Sequence, residues 1–258
     1  MYDETTPLIR DTIKRRYELI PYLYSLMLES HMTALPPQRW IGHGYESDPE
    51  VWTSKAMSGE TQYWLGDTLL VGGVYEPGET SGKIYLPKKS SDDDGFINLN
   101  EPYQHLESGQ WVEIKSEWRN SIPLLARVGG ALMVGKSVQT RAPGDHTHPS
   151  PNVFEDDYRA VEIFPPKGDS KSYSVTWFED DGISARPNIS SFIIRYSSTA
   201  SDVTVEFEAG EGNKFVPIWK ELNLILPFGD KRSIASRGEA LRKVEDSRGR
   251  AVFAMVLN

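Results

Sequence analysis

Cysteine is absent from the 258-residue sequence. That excludes a disulfide framework, a thiol nucleophile and a thiolate metal site. Excess basic charge is absent as well. The formal net charge is −9, whereas nucleic acid or an anionic membrane surface calls for a basic face. No run approaches the roughly 20 apolar residues of a membrane span, and the first residues show no apolar signal core. A Ser-His-Asp order, a phosphate-cradling glycine loop, HExxH and a repeat of fixed period are all missing. The expectation is therefore no cofactor, no nucleic acid and no membrane. What is present is a globular composition, 38% hydrophobic and 11% aromatic, in a chain long enough for more than one module. One sequon, Asn188-Ile189-Ser190, matters only in a secreted protein.

The first 30 residues read as a helix. Thr6 is placed to cap it with Pro7 at the first helical position, where a missing N–H costs nothing. Ile9, Ile13, Tyr17, Ile20, Tyr24 and Leu28 recur at spacings of three and four and form one apolar stripe. Pro21 should kink or break this helix. Asp48-Pro49 marks a second, short helix carrying Val51, Trp52 and Met57. From about residue 65 the texture becomes that of strands. The runs Thr68–Tyr75, Gly82–Leu86, Phe96–Leu99, Gln110–Ile114 and Pro123–Val134 are separated by turn residues at intervals of about ten, as in an antiparallel sandwich. A Pro/Gly/His-rich stretch between Arg141 and Asn152 reads as a linker. Strands then resume at Ala160–Phe164, Ser172–Phe178, Ser191–Tyr196, Val203–Phe207 and Leu222–Leu226.

Several constellations invite a chemical reading. Residues 90–101 place Asp92, Asp94, Gly95 and Glu101 near the spacing of a calcium loop, but Ser90 stands at the first ligand position and no helices flank it. A solvated hairpin loop accounts for it better. His146 and His148 offer two imidazoles where a metal needs three or four ligands. Trp111, Trp118 and Trp177 are candidates to stack on sugars, although strand tryptophans usually fill cores. Trp177-Phe178-Glu179-Asp180-Asp181-Gly182 runs three carboxylates into a glycine. Adjacent carboxylates cannot flank a glycosidic bond, which needs them about 5 to 9 Å apart across the sugar. Asp181-Gly182 reads instead as a hairpin turn.

The stretch Gln62-Tyr63-x-Leu65-Gly66-Asp67-x-Leu69-Leu70-Val71, followed by Pro77-Gly78, closely resembles a signature of glycoside hydrolase family 31, the α-glucosidases, α-xylosidases and relatives. Upstream, Arg16-Tyr17-x-Leu19-Ile20-Pro21-Tyr22-Leu23-Tyr24-Ser25-Leu26 is similar to the family's helix before its last barrel strand. Pro36-x-x-Arg39 and Asp48 match the segment holding that strand. Downstream, Ile122-Pro123-Leu124-Leu125-x-Arg127-x-Gly129 resembles the end of the proximal sandwich, and the Phe178–Ser184 stretch resembles a turn of the distal β-domain. Trp40 stands where the family usually has proline, Tyr45-Glu46 replaces a Phe-Pro pair, and the Asp-rich loop at 90–95 replaces Gly-x-Trp.

The resemblance implies a mainly β chain: antiparallel β-sandwich domains preceded by a short helical remnant of a (β/α)8 barrel. Residues 1–64 would be the last barrel piece, 65–140 the proximal sandwich and 141–258 the distal β-domain. Such a barrel takes about 250 residues, so the strands bearing the nucleophile and acid/base aspartates would lie before this chain. No catalytic, cofactor or metal residue is carried over by the resemblance. The implied parent reaction is retaining hydrolysis of an α-glucoside or α-xyloside, with this chain inactive alone and His43, Tyr45 and Asp48 bordering the substrate cleft. Its partners would be that carbohydrate and the missing barrel, in cis or on another chain. Two alternatives stay open: a non-catalytic carbohydrate-binding module, and an interaction subunit that completes a barrel elsewhere.

Overall fold

The computed structural model describes residues 5–57, 62–89, 95–116, 122–137, 156–244 and 249–257. Two helices open it, α1 (Thr5–Glu18) and α2 (Ile20–Thr33). They part at Leu19, with Pro21 in the first turn of α2, where the ring needs no amide partner. The proline thus divides the expected helix as its chemistry dictates. Ala34 ends α2 in the left-handed region and returns its N–H to the Ser30 carbonyl.

Eight strands follow: β1 (Gln38–Arg39), β2 (Gln62–Leu65), β3 (Leu69–Gly72), β4 (Ser81–Leu86), β5 (Phe96–Asn98), β6 (Gln104–Leu106), β7 (Gln110–Lys115) and β8 (Leu124–Arg127). Six make an antiparallel sheet in the order β1-β2-β3-β8-β5-β6, and β4 pairs with β7 as a ribbon. Alternate side chains point to opposite faces of a strand. Leu70, Leu125, Trp64 and Phe96 accordingly pack with Ile84, Leu86 and Ile114 of the ribbon. Leu69, Val71, Ala126 and Ile97 face the other way and join the second core. Burial on both faces explains why these strands read as unbroken apolar runs rather than as an alternation. The stretch Gln38–Arg39, expected in the last barrel strand, is paired here with Trp64 and Leu65 of β2.

The second half contributes β9 (Ala131–Val134), β10 (Arg159–Ile163), β11 (Tyr173–Glu179), β12 (Ser190–Ser198), β13 (Asp202–Ala209), β14 (Glu221–Ile225), β15 (Ser233–Ser236), β16 (Glu239–Ala240), β17 (Arg242–Val244) and β18 (Val252–Val256). These form two five-stranded sheets, β17-β18-β14-β10-β9 and β11-β12-β13-β15-β16. The expected single run Pro123–Val134 divides into β8 and β9. Gly129, at φ +85°, turns the chain between them, and β9 pairs with β10 in the second half. The sheets are mixed rather than purely antiparallel, because β10–β14 and β13–β15 are parallel. Trp177, Phe192, Phe207 and Trp219 form a contiguous aromatic cluster, with ring centroids 5.5 to 6.2 Å apart in the contacting pairs.

Helix α2 lies against β9 and β11. Tyr22, Ser25 and Leu26 are its buried face, and the Phe178 N–H donates to Ser25 Oγ at 3.0 Å. Of the stripe read from spacing, Ile9, Ile13, Ile20 and Tyr24 are exposed, Tyr17 is half-buried and Leu28 is buried. Helix α1 is fixed by charge. Arg15 grips Glu162 of β10 through two bonds of 2.7 and 2.8 Å, and Arg250 adds a third of 2.7 Å. Burial alone would raise the Glu162 pKa; the two arginines outweigh it and hold the carboxyl below its ordinary value. A depressed carboxyl stabilises the fold above its unfolded pKa of about 4.3, and that stabilisation is lost as pH falls through the folded value. Glu162→Ala is expected to cost about 3 kcal/mol by removing the buried carboxylate that Arg15 and Arg250 share. Urea unfolding measured from neutral pH down to below the ordinary carboxylate range should show a shallower acid dependence in the variant.

Candidate functional site

Residues 40–57 connect β1 to β2 and contain all three residues expected to border a cleft. The backbone folds as successive turns: His43 N–H to Trp40 O, Tyr45 N–H to Gly42 O and Asp48 N–H to Tyr45 O, each 2.9 Å. Asp48 then caps the 3-10 turn Pro49–Trp52, which leads into the short helix α3 (Ser54–Met57). Its Oδ1 accepts the Glu50 N–H at 3.0 Å. Its Oδ2 accepts the Tyr85 hydroxyl at 2.7 Å and the Lys88 N–H at 2.8 Å. Asp48 is buried, and both carboxylate oxygens are occupied in holding the loop. Burial, then the adjacent Asp48, pushes the Tyr85 phenol above its usual range.

Three indoles hold the same segment. Trp64 donates its N–H to the Ile41 carbonyl at 2.8 Å, Trp52 to the Glu46 carbonyl at 2.9 Å, and Trp111 to Glu50 Oε1 at 2.7 Å. Indole is a donor only, so each ring fixes one acceptor and nothing else by hydrogen bonding. Tyr45 is buried and stacks on Trp64, with centroids 5.5 Å apart and planes within 8°. His43 is half-buried and lines a cavity of about 220 Å³ with Tyr45, Asp67, Lys89 and Arg127. The structure thus gathers His43 and Tyr45 at one small polar hollow and sets Asp48 behind them as an anchor. Composition and spacing did not point to the indole bonds, since nothing in a sequence announces which carbonyl a tryptophan will reach.

The acidic stretch ending in Gly182 leads, as expected of a hairpin, from β11 into the connection to its antiparallel partner β12. It is not a solvated tight turn: β11 and β12 are joined over residues 180–189, and Glu179 and Asp180 are buried. Glu179 accepts Arg159 Nε and Nη2 at 2.8 and 2.9 Å, Trp177 Nε1 at 3.0 Å and Trp219 Nε1 at 3.2 Å. Asp180 Oδ1 accepts the Tyr24 hydroxyl at 2.7 Å, tying α2 to this loop. Burial and then Asp180 push the Tyr24 phenol up to about 12. Asp181 turns the chain, accepting the Ile183 and Ser184 N–H groups, and Gly182 supplies the positive φ of +65°. Beside this loop runs a groove of about 490 Å³, walled by Tyr17, Ile20, Pro21, Tyr24 and Trp219.

The remaining candidates fall away from ligand chemistry. Trp177 has no exposed surface and belongs to the distal core. Trp111 is covered by Tyr85, centroids 5.4 Å apart, and by Lys55 Nζ, 3.9 Å from its own centroid. Trp118, His146, His148 and the first half of the calcium-like loop lie outside the described residues. Among the described residues no group of three His, Asp or Glu is placed to hold a metal.

Two packed β-modules, one sheet buried on both faces and a helical pair on the flank, define a multi-module β-sandwich protein. Residues 34–132 match the model of the glycosyl hydrolase family 31 C-terminal domain. The chain is 32% identical over 138 residues to neutral alpha-glucosidase C of Mus musculus, a match covering 54% of this chain and 14% of that protein. It is 25% identical over 229 residues to neutral alpha-glucosidase AB of Homo sapiens, covering 88% and 22% respectively. A family 31 dextranase from Flavobacterium johnsoniae, solved with isomaltotriose, shares the fold at TM-score 0.75 and 22% identity, covering 99% of this chain and 32% of that one. The chain thus spans less than a quarter of these two glucosidases.

Because the loop depends on one capping carboxylate, Asp48→Ala is expected to cost about 1–3 kcal/mol. Trp64→Phe, which frees the Ile41 carbonyl and trims a buried ring, should cost about 1–3 kcal/mol. Urea denaturation gives both values, and limited proteolysis should cut the segment 40–57 sooner in Asp48→Ala.

Proposed function

We propose that this chain is the C-terminal portion of a family 31 glycoside hydrolase that hydrolyses α-glucosidic or α-xylosidic bonds with retention, its two catalytic carboxylates coming from a barrel outside these residues. It is inactive alone. The observation that carries this reading is the uncovered apolar face of the helical pair. Ile9, Ile13, Ile20, Tyr24 and Met27 are 39–59% exposed on neighbouring turns. Contiguous apolar surface of that kind marks an interface rather than a finished exterior. It continues into the groove beside Tyr24, where Ile218 is also exposed. On this reading barrel elements cover the face, in cis or on another chain.

The division into residues 1–64, 65–140 and 141–258 belongs to the same proposal, with strand pairing drawing β2 into the proximal sheet and β9 into the distal one. His43 and Tyr45 border the substrate cleft, and Asp48 acts through the loop it anchors. The well-held carboxylates favour a supporting role. Asp48, Glu162 and Glu179 already accept several short hydrogen bonds each, and a nucleophile needs a lone pair free to attack. The carbohydrate partner is an α-linked glucoside or xyloside, in keeping with the relatives' own substrates.

The purified chain is expected to release no nitrophenol from nitrophenyl α-glucoside or α-xyloside; clear turnover would overturn the proposal. Sedimentation should show concentration-dependent self-association through the apolar face. Replacing Ile13 and Ile20 together by aspartate should abolish that association and leave the unfolding midpoint nearly unchanged, since both side chains already face water.

A further inference from the structure

The loop 40–52 ends in a feature its stability does not require. Trp52 is 51% exposed, yet its orientation is fixed from two sides. Its N–H is bonded to the Glu46 carbonyl, and Trp40 leans on it with centroids 4.8 Å apart at 59°. Trp40 in turn lies over Gly42, occupying the space where any side chain at that position would stand. Gly42, Trp40 and Trp52 therefore pack in succession, the two indoles tilted on each other, and the outermost indole meets solvent. An exposed tryptophan that only filled space would gain little from being held at both its edge and its face. Immobilising a ring in advance instead lowers the entropy lost when something binds to it.

The surroundings suit a polyhydroxylated ligand. Glu46, which holds Trp52 through its carbonyl, presents an exposed carboxylate to the Gly44 N–H at 2.9 Å. The neighbouring hollow carries His43, Asp67, Lys89 and Arg127. A flat π face with an electron-rich centre attracts the weakly positive axial C–H groups of a pyranose, while rim donors and acceptors meet its hydroxyls. Trp111 is less available, being packed against Tyr85 and Lys55. Trp64 is buried under Tyr45. Among the described tryptophans only Trp52 leaves about half its surface exposed, at 51%.

We propose that Trp52, backed by Trp40, is a stacking platform for one glucose unit of an α-linked oligosaccharide, a unit other than the one cleaved. This rests on reading the loop as a border of the substrate cleft, and it names a residue that selects chain length rather than one that performs chemistry.

The test is binding by the chain itself. Isomaltotriose is titrated, at concentrations up to the order of tens of millimolar, while the indole N–H signals are followed by NMR. The Trp52 signal should move saturably and those of Trp64 and Trp177 should not. Trp52→Ala should weaken binding about fivefold to tenfold, and Trp52→Phe should recover part of it. Trp111→Phe should leave the affinity unchanged, and the unfolding midpoint of each variant checks the loop. An unmoved Trp52 signal, or binding that survives Trp52→Ala at full strength, would overturn the platform. Because no turnover or barrel is involved, such a failure leaves the wider functional reading to its own test.

Discussion

The constraint on which the whole molecule depends is that the six-stranded sheet is buried on both faces. Leu70 and Leu125 look one way, Leu69 and Ala126 the other, and all four are essentially inaccessible. A sheet of that kind cannot end at water on either side, so it requires two covers. The β4–β7 ribbon supplies one. The second sandwich and α2 supply the other, and the core that they share with the sheet is continuous from Leu69 to Met255. The two modules are therefore not beads on a linker. Tyr103 reinforces the union, donating to the Pro165 carbonyl at 3.0 Å while accepting Arg232 Nη2 at 2.6 Å.

Where apolar packing runs out, arginine takes over. Arg15 joins α1 to β10 and Arg159 joins β10 to β11. Arg39 joins α2 to β1 through Glu29 at 2.7 Å and also pairs with Asp67. Arg232 joins the loop before β15 to Tyr103. In each case a planar fork meets several acceptors at once, which a lysine ammonium could not do with the same directionality. These pairs sit at junctions between elements rather than within them. Buried ion pairs add little net stability compared with apolar packing but punish misalignment heavily, so their placement fixes how helices and sheets are oriented.

Much of this architecture was legible in the sequence because it rests on local rules. Pro21 divides the helices, Asp48 caps Pro49–Trp52, and the Leu69–Val71 and Leu124–Ala126 runs are strands. Each follows from a residue's own backbone chemistry or from a two-residue period. The family motifs also cluster in these segments. What escaped was non-local. The stripe Ile9–Leu28 and the buried face Tyr22–Leu26 are both apolar on one helical pair, and spacing alone cannot say which one meets β11. The run Pro123–Val134 gave no sign that Gly129 would send its second half to another sheet. Residues 233–244 are short and polar, and they become strands only because β13 and β18 offer edges to pair with. The candidate loop was legible as a location, but its rigidity was not. The partners of Trp52, Trp64 and Trp111 are set by the fold, and Trp40, noted only as a departure from proline, turns out to underlie the exposed indole.

The three consecutive acids illustrate the difference between having carboxylates and having free ones. Glu179 is ringed by two guanidinium and two indole N–H groups, Asp180 receives Tyr24 and the Gly182 N–H, and Asp181 closes the turn through Ser184. Each of these neighbours occupies an oxygen lone pair. General acid catalysis needs an environment that raises the pKa toward working pH. Here the ordinary value of Asp181 is instead lowered, first by the Ser184 hydroxyl and then by backbone N–H groups. These acids are built to hold β10, α2 and Trp219 at one corner, and that corner forms the wall of the groove beside the uncovered helical face. Their work is to hold that face in a fixed shape.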